Sequence, residues 1–181
     1  MVHADASNFA SDLSKEEVYR QVLEQAEGLL IDQRNWVCNL SNVASLLWHA
    51  YHSLPSPSNK VNWAGFYTLD PLSPTTRLIL GPFQGKVACQ TIAFAPVARG
   101  VCGTAAATGE TQLVPDVEAF PGHIACDGDS RSEIVVPIKA GGGRVVAIID
   151  VDCAVVDGFD ETDREWLEKL AGLLGEGCDW P

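Results

Sequence analysis

No stretch of this sequence approaches the ~18 uninterrupted apolar residues that a membrane-crossing helix needs, and positive charge is scarce. Twelve lysines and arginines stand against 24 aspartates and glutamates, a formal charge of −12. The first lack argues against a helical membrane span. The second argues against partners such as nucleic acid or an anionic membrane, both of which are held by basic side chains. Also missing are a CxxC pair, the GxxxxGK[ST] spacing of a P-loop and the GxSxG of a serine hydrolase. The opening residues, MVHADASNFASDLSKEE, have no basic patch followed by an apolar stretch and so do not read as a secretory signal. The expected compartment is a reducing one, where cysteines stay thiols and a disulfide is more often transient and catalytic than structural.

The chain has 181 residues, 46% of them apolar, enough for one domain whose core buries about 70% of the unfolded surface. Such a core needs no staples, so the six cysteines, at 38, 89, 102, 126, 153 and 178, call for another explanation.

The first 13 residues read as a mobile arm. Ser14-Lys15-Glu16-Glu17 is a capping box, from which a helix is expected to run to about Ile31 with Val18, Tyr19, Val22, Ala26 and Leu29 on its apolar side. A second helix carries Trp36, Leu40, Val43, Leu47 and Tyr51, and SLPSPSNK ends it. From Val61 the period changes to two. VNWAGFYTL, RLILGP, ACQTIAF, EIVVPI and VVAIIDVDC read as strands, with a short helix in RGVCGTAAATGE ended by Gly109 and a long loop over 115–132. A last helix begins near Asp160, turns Trp166, Leu167, Leu170, Ala171 and Leu174 inward, and is expected to stop at Gly175 and Gly177. Helices flanking an uninterrupted block of strands predict an α+β fold, an antiparallel sheet with helices packed mainly on one side.

Chemistry is expected in the central third. Cys126 lies in HIACDGDSRSE, in a loop before a strand, where a thiol is accessible; His123 and Arg131 favour its thiolate and Asp127 and Asp129 oppose it. Cys102 opens the RGVCGTAAA turn, where a helix N-terminus lowers a thiol pKa. Cys89 lies at the start of a strand. Cys38 and Cys153 read as packing residues, and Cys178 as an exposed one. Asp150 and Asp152, at spacing two, share a strand face. Across the KAGGGR hairpin, a register that opposes Ile138 to Val145 places Glu133 across from Asp150. Three acids on one face are either a site, a slip in that register, or protection against edge pairing. Trp63 and Tyr67, four apart on a strand, also share a face, either in the core or against a ligand. His49 and His52 lack the further ligands that a zinc site needs.

NWAGFY, LGPFQGKVAC, RGVCGTAAATGE, VEAFPGHIACDGDSRSEIVVPI and IIDVDC together resemble the free methionine-R-sulfoxide reductases, a family built on a single GAF domain. The resemblance implies a GAF domain over residues 14–178. It also implies Cys126 as the attacking thiol, Cys102 or Cys89 as the thiol that resolves the sulfenic acid, and a substrate pocket using Trp63, Tyr67, Glu133, Asp150 and Asp152. One departure is QTIAFAPVARGV, between Cys89 and Cys102, which is longer than the family pattern.

The chemistry it implies suits these residues. A sulfoxide oxygen must be protonated as the thiolate attacks sulfur, and crowded carboxylates hold a proton near neutral pH. Their remaining charge suits the ammonium group of a free amino acid, which a peptide-bound methionine sulfoxide lacks. The family is typically cytoplasmic, often homodimeric and recycled by thioredoxin, and its cycle uses no metal or organic cofactor. Two other readings remain: a GAF sensor binding a metabolite without turnover, and a redox switch whose disulfide gates a partner.

Overall fold

The computed structural model describes residues 8–10, 12–122 and 128–180. Four helices and six strands run in the order α1 (Lys15–Leu30), α2 (Trp36–Ser53), β1 (Val61–Leu69), β2 (Arg77–Gly85), β3 (Thr91–Ala93), α3 (Gly100–Thr108), β4 (Gln112–Val114), β5 (Ser132–Ala140), β6 (Arg144–Cys153) and α4 (Glu161–Gly177). The strands form one antiparallel sheet in the order β3-β2-β1-β6-β5-β4.

Alternation along the central strands separates two cores. Phe66 of β1, Ile134, Val136 and Ile138 of β5, and Ala147, Ile149 and Val151 of β6 face α1, α2 and α4, where they meet Leu40, Leu47, Leu167, Leu170 and Leu174. Trp63, Tyr67, Val135 and Ile148 face the other way, toward Val101, Cys102, Ala105 and Ala106 of α3. Three helices on one face and one on the other is the expected α+β arrangement.

The capping box of α1 is formed as the sequence predicts: Ser14 Oγ accepts from the Glu17 amide and the Glu17 side chain accepts from the Ser14 amide. α1 and α4 are tied by Asp163, which is fully buried and accepts from Lys15 Nζ at 2.7 Å and from Tyr19 Oη at 2.7 Å. Tyr19 in turn shares a 2.5 Å hydrogen bond with Tyr51 of α2. A charge at that depth is tolerated because it is paired and hydrogen-bonded.

Several expectations are corrected. α4 does not stop at Gly175 but runs through it to Gly177. A Cβ on Gly175 would stand 2.1 Å from the Lys139 carbonyl oxygen, so that glycine serves a close approach between α4 and the end of β5. Gln112–Val114, to which the sequence pattern assigns no element, pairs with β5 as the edge strand; three residues are too few to show a period. Cys38 is exposed and Cys178 is buried, the reverse of their expected environments. Helix α2 turns Cys38 outward, while Cys178 packs at the end of α4 beside Asn39, whose Nδ2 lies 3.5 Å from its sulfur. Of the arm expected over 1–13, residues 1–7 and 11 lie outside the described residues; Phe9 and Leu13 pack against the helical core. Among the described residues no helix is long and apolar enough to cross a membrane.

Candidate active site

The three acids do share a face, although the hairpin register differs from the expected one. Ile138 pairs with Ala147 and Lys139 with Val145, because an irregularity between Ile138 and Lys139 inserts an extra residue into β6. Glu133 therefore stands opposite Asp152, not Asp150, and Asp150 stands opposite Val135. The shift is by two residues, so the facing is preserved. Glu133 and Asp150 are 7% and 6% exposed.

These acids line a cavity of about 230 Å³ together with Gly100–Cys102 from the first turn of α3, Cys89 and the β3 residues Thr91–Ala93. That is smaller than the roughly 300–1,000 Å³ of sites that enclose drug-sized ligands, and suits a single small metabolite. A larger groove of about 510 Å³ between Glu110 and α4 contains no cysteine and none of the three acids.

Cys102 Sγ donates to Glu133 Oε1 at 3.4 Å. Burial, and then the charges of Asp150, Glu133 and Asp152, push the Cys102 thiol well above its ordinary value. This corrects the expectation that the helix N-terminus activates it, since three nearby acids and loss of solvent outweigh a partial helix charge. Burial and the neighbouring Asp150 and Asp152 likewise raise Glu133 well above the usual carboxylate range. Burial raises Asp150 to about 7, with the neighbouring Cys102 and Glu133 partly offsetting it. Two neighbouring carboxyls raised in this way share their protons as a pair.

Trp63 and Tyr67 are buried beside the cavity and are not among its lining residues. Trp63 stacks on Phe83, with centroids 5.2 Å apart, and on Tyr67 at 5.9 Å. The stack is possible because residue 65 is glycine, where a Cβ would come within 2.7 Å of the Trp63 ring. Both polar ends reach the segment leading to Cys89: Trp63 Nε1 donates to the Lys86 carbonyl at 3.1 Å and Tyr67 Oη to the Cys89 carbonyl at 3.0 Å. The two aromatics thus support the wall that carries Cys89.

Cys89 is disulfide-bonded, whereas Cys38, Cys102, Cys153 and Cys178 are free thiols. Cys126, like His123 and Asp127, lies outside the described residues. Asp129 pairs with Lys86 and Arg131 with Glu118 at 3.1 Å. Sequence reasoning missed Ser130 and Arg99, which also line the cavity. Arg99 precedes the first turn of α3, and no sequence signal marks it as facing a pocket.

The GAF domain family profile matches residues 12–177. The chain is 57% identical over 176 residues to the free methionine-R-sulfoxide reductase of Saccharomyces cerevisiae, covering 97% of this chain and 94% of that protein. It is 37% identical to the Escherichia coli protein of the same name, over 90% and 89% of the two chains. The structure of free methionine-R-sulfoxide reductase from Neisseria meningitidis in complex with its substrate matches with a TM-score of 0.81 and 42% identity, covering 94% of this chain and 93% of that one. The chain belongs to the GAF domain family and, within it, to the free methionine-R-sulfoxide reductases, a group of oxidoreductases.

Proposed function

We propose that this protein reduces free L-methionine-R-sulfoxide to L-methionine, and that Cys126 and Cys89 carry the redox cycle. Cys126 thiolate attacks the sulfoxide sulfur while the oxygen takes a proton from the Glu133–Asp150 pair; the hydroxyl then passes from the substrate sulfur to the Cys126 sulfur as the bond between the two sulfurs breaks, giving methionine and a Cys126 sulfenic acid. The Cys89 thiol then displaces that hydroxyl as water, forming a disulfide which an external dithiol such as thioredoxin reduces.

The observation that carries this reading is a pair of buried carboxylates, their proton affinity raised by burial, in a cavity that also contains a disulfide-bonded cysteine. Because four of the other five cysteines are free, Cys126 is the partner proposed for Cys89. Ser130, four residues after Cys126, lines the cavity, and four residues of chain span at most roughly 14 Å. Cys102 becomes a buried hydrogen-bond donor to the acids, not the resolving thiol. Asp150 and Asp152 receive the substrate ammonium, which excludes a sulfoxide inside a peptide.

A thioredoxin-coupled NADPH assay with free L-methionine-R-sulfoxide, its S epimer and an N-acetylated analogue tests this. Turnover is expected with the free R epimer alone; equal rates on all three, or none, reject the function. Cys126→Ser is expected to abolish turnover, and activity that survives it rejects the assignment of the nucleophile.

A further inference from the structure

The cluster of Cys102, Glu133 and Asp150 has a composition that an ammonium receptor does not need, because one of its three members is a sulfur. One ligand atom from each residue lies within 4.8 Å of the other two, and all three residues are buried. Cys102 Sγ and Glu133 Oε1 are 3.4 Å apart. A sulfur and an oxygen bound tetrahedrally to one zinc ion, at about 2.3 and 2.1 Å, stand roughly 3.6 Å apart. The first pair is therefore already at coordination spacing, and a ligand atom of Asp150 lies within 4.8 Å of both partners.

A second observation is independent of that spacing. Among the described residues Asp150 Oδ1 is buried with no hydrogen-bond partner, in a residue that lines the cavity. An acceptor left unsatisfied at that depth costs free energy until a donor or a cation reaches it.

We propose that Cys102, Glu133 and Asp150 form a three-ligand site for a thiophilic divalent cation of the zinc class, with its fourth position open to the cavity. The sulfur ligand separates zinc from magnesium and calcium, which favour all-oxygen sets, and three protein ligands with one open position are a common arrangement for zinc. Binding forms one sulfur–metal and two oxygen–metal bonds and releases to solvent the Cys102 thiol proton and the proton of the carboxylate pair. No group is oxidised or reduced. The ion occupies the place of the substrate's cation and removes the proton donor, so metal and amino acid exclude each other. The reductive cycle itself uses no metal; the ion is a reversible inhibitor.

The test uses the full chain with Cys38→Ser, which removes the exposed thiol, in the oxidised form, in which Cys89 is already disulfide-bonded. Zinc chloride is titrated by calorimetry and cobalt chloride by absorption. One zinc per chain and a thiolate-to-cobalt charge-transfer band are expected. Adding Cys102→Ser should abolish the band and weaken zinc binding by at least roughly tenfold, the lower end of what even outer-shell changes cost at metal sites. Glu133→Gln should weaken binding similarly while keeping the band. Absence of stoichiometric binding, or binding that both substitutions leave unchanged, overturns the proposal. If neither variant folds by circular dichroism, the Cys38→Ser protein decides alone: a band at one cobalt per chain supports the site and its absence overturns it. Binding is read without turnover, so failure here leaves the reductase function standing, and an inactive protein that binds zinc leaves this site standing.

Discussion

Asp150, a residue of the proposed site, carries a cost to stability. Its carboxyl is raised from an ordinary value near 3.8 to about 7 by burial, so folding favours the protonated form. The stability this contributes is fully present below about pH 4 and is lost as pH rises through about 7. A shift of that size corresponds to at most about 4 kcal/mol. Asp150→Asn is therefore expected to raise the thermal midpoint at pH 8 and to change it little at pH 4, while weakening binding of free methionine sulfoxide. A midpoint gain equal at both pH values would show that the buried charge is not its source. Tyr67 acts at the same scale through geometry. Tyr67→Phe removes the hydrogen bond to the Cys89 carbonyl, and it is expected to slow disulfide formation several-fold while leaving the first methionine released in a single turnover unaffected. Rapid quench with thiol counting separates the two steps.

At the scale of elements, the helical layer depends on close approaches that the helices' own patterns do not announce. Gly175 lies inside α4, where glycine costs roughly 1 kcal/mol relative to alanine. Even so, Gly175→Ala is expected to destabilise the protein by about 2 kcal/mol or more, because its methyl would meet the Lys139 carbonyl oxygen at 2.1 Å. Chemical denaturation of the variant measures this, and a stabilised variant would mean that α4 shifts freely on β5. The hairpin of β5 and β6 makes the complementary point. The turn-side pair of Lys139 and Val145 lies one residue from the expected register and the irregularity between Ile138 and Lys139 adds a second; the two together keep the original faces, so the acid cluster survives a register that the sequence misassigned.

For the whole molecule, the sheet acts as a divider. One face, against α1, α2 and α4, is closed by apolar side chains; the other, against α3, leaves room for a small charged cavity. The proposed Cys89–Cys126 disulfide closes a loop of roughly 40 residues around that cavity, a constraint worth up to about 4 kcal/mol through the unfolded chain. Reduction is accordingly expected to lower the denaturation midpoint. The difference should vanish in Cys126→Ser and persist in Cys102→Ser. A difference that vanishes in both variants would make Cys102 the resolving thiol.

Sequence by itself determined the elements with long periods or marked ends: the capping box at Ser14, the apolar stripes of α1, α2 and α4, the strands around VNWAGFYTL and VVAIIDVDC, and the common face of Glu133, Asp150 and Asp152. These are local properties, written in spacing and capping chemistry. Tertiary structure decided what depends on neighbours distant in the chain. It buried Cys178 and exposed Cys38, placed the Trp63 and Tyr67 side chains behind the wall that carries Cys89, and brought Arg99 and Ser130 to the cavity. It also reversed the expected electrostatics of Cys102, because a thiol's proton affinity is set by the acids and solvent around it, and those are assembled only when β5, β6 and α3 meet.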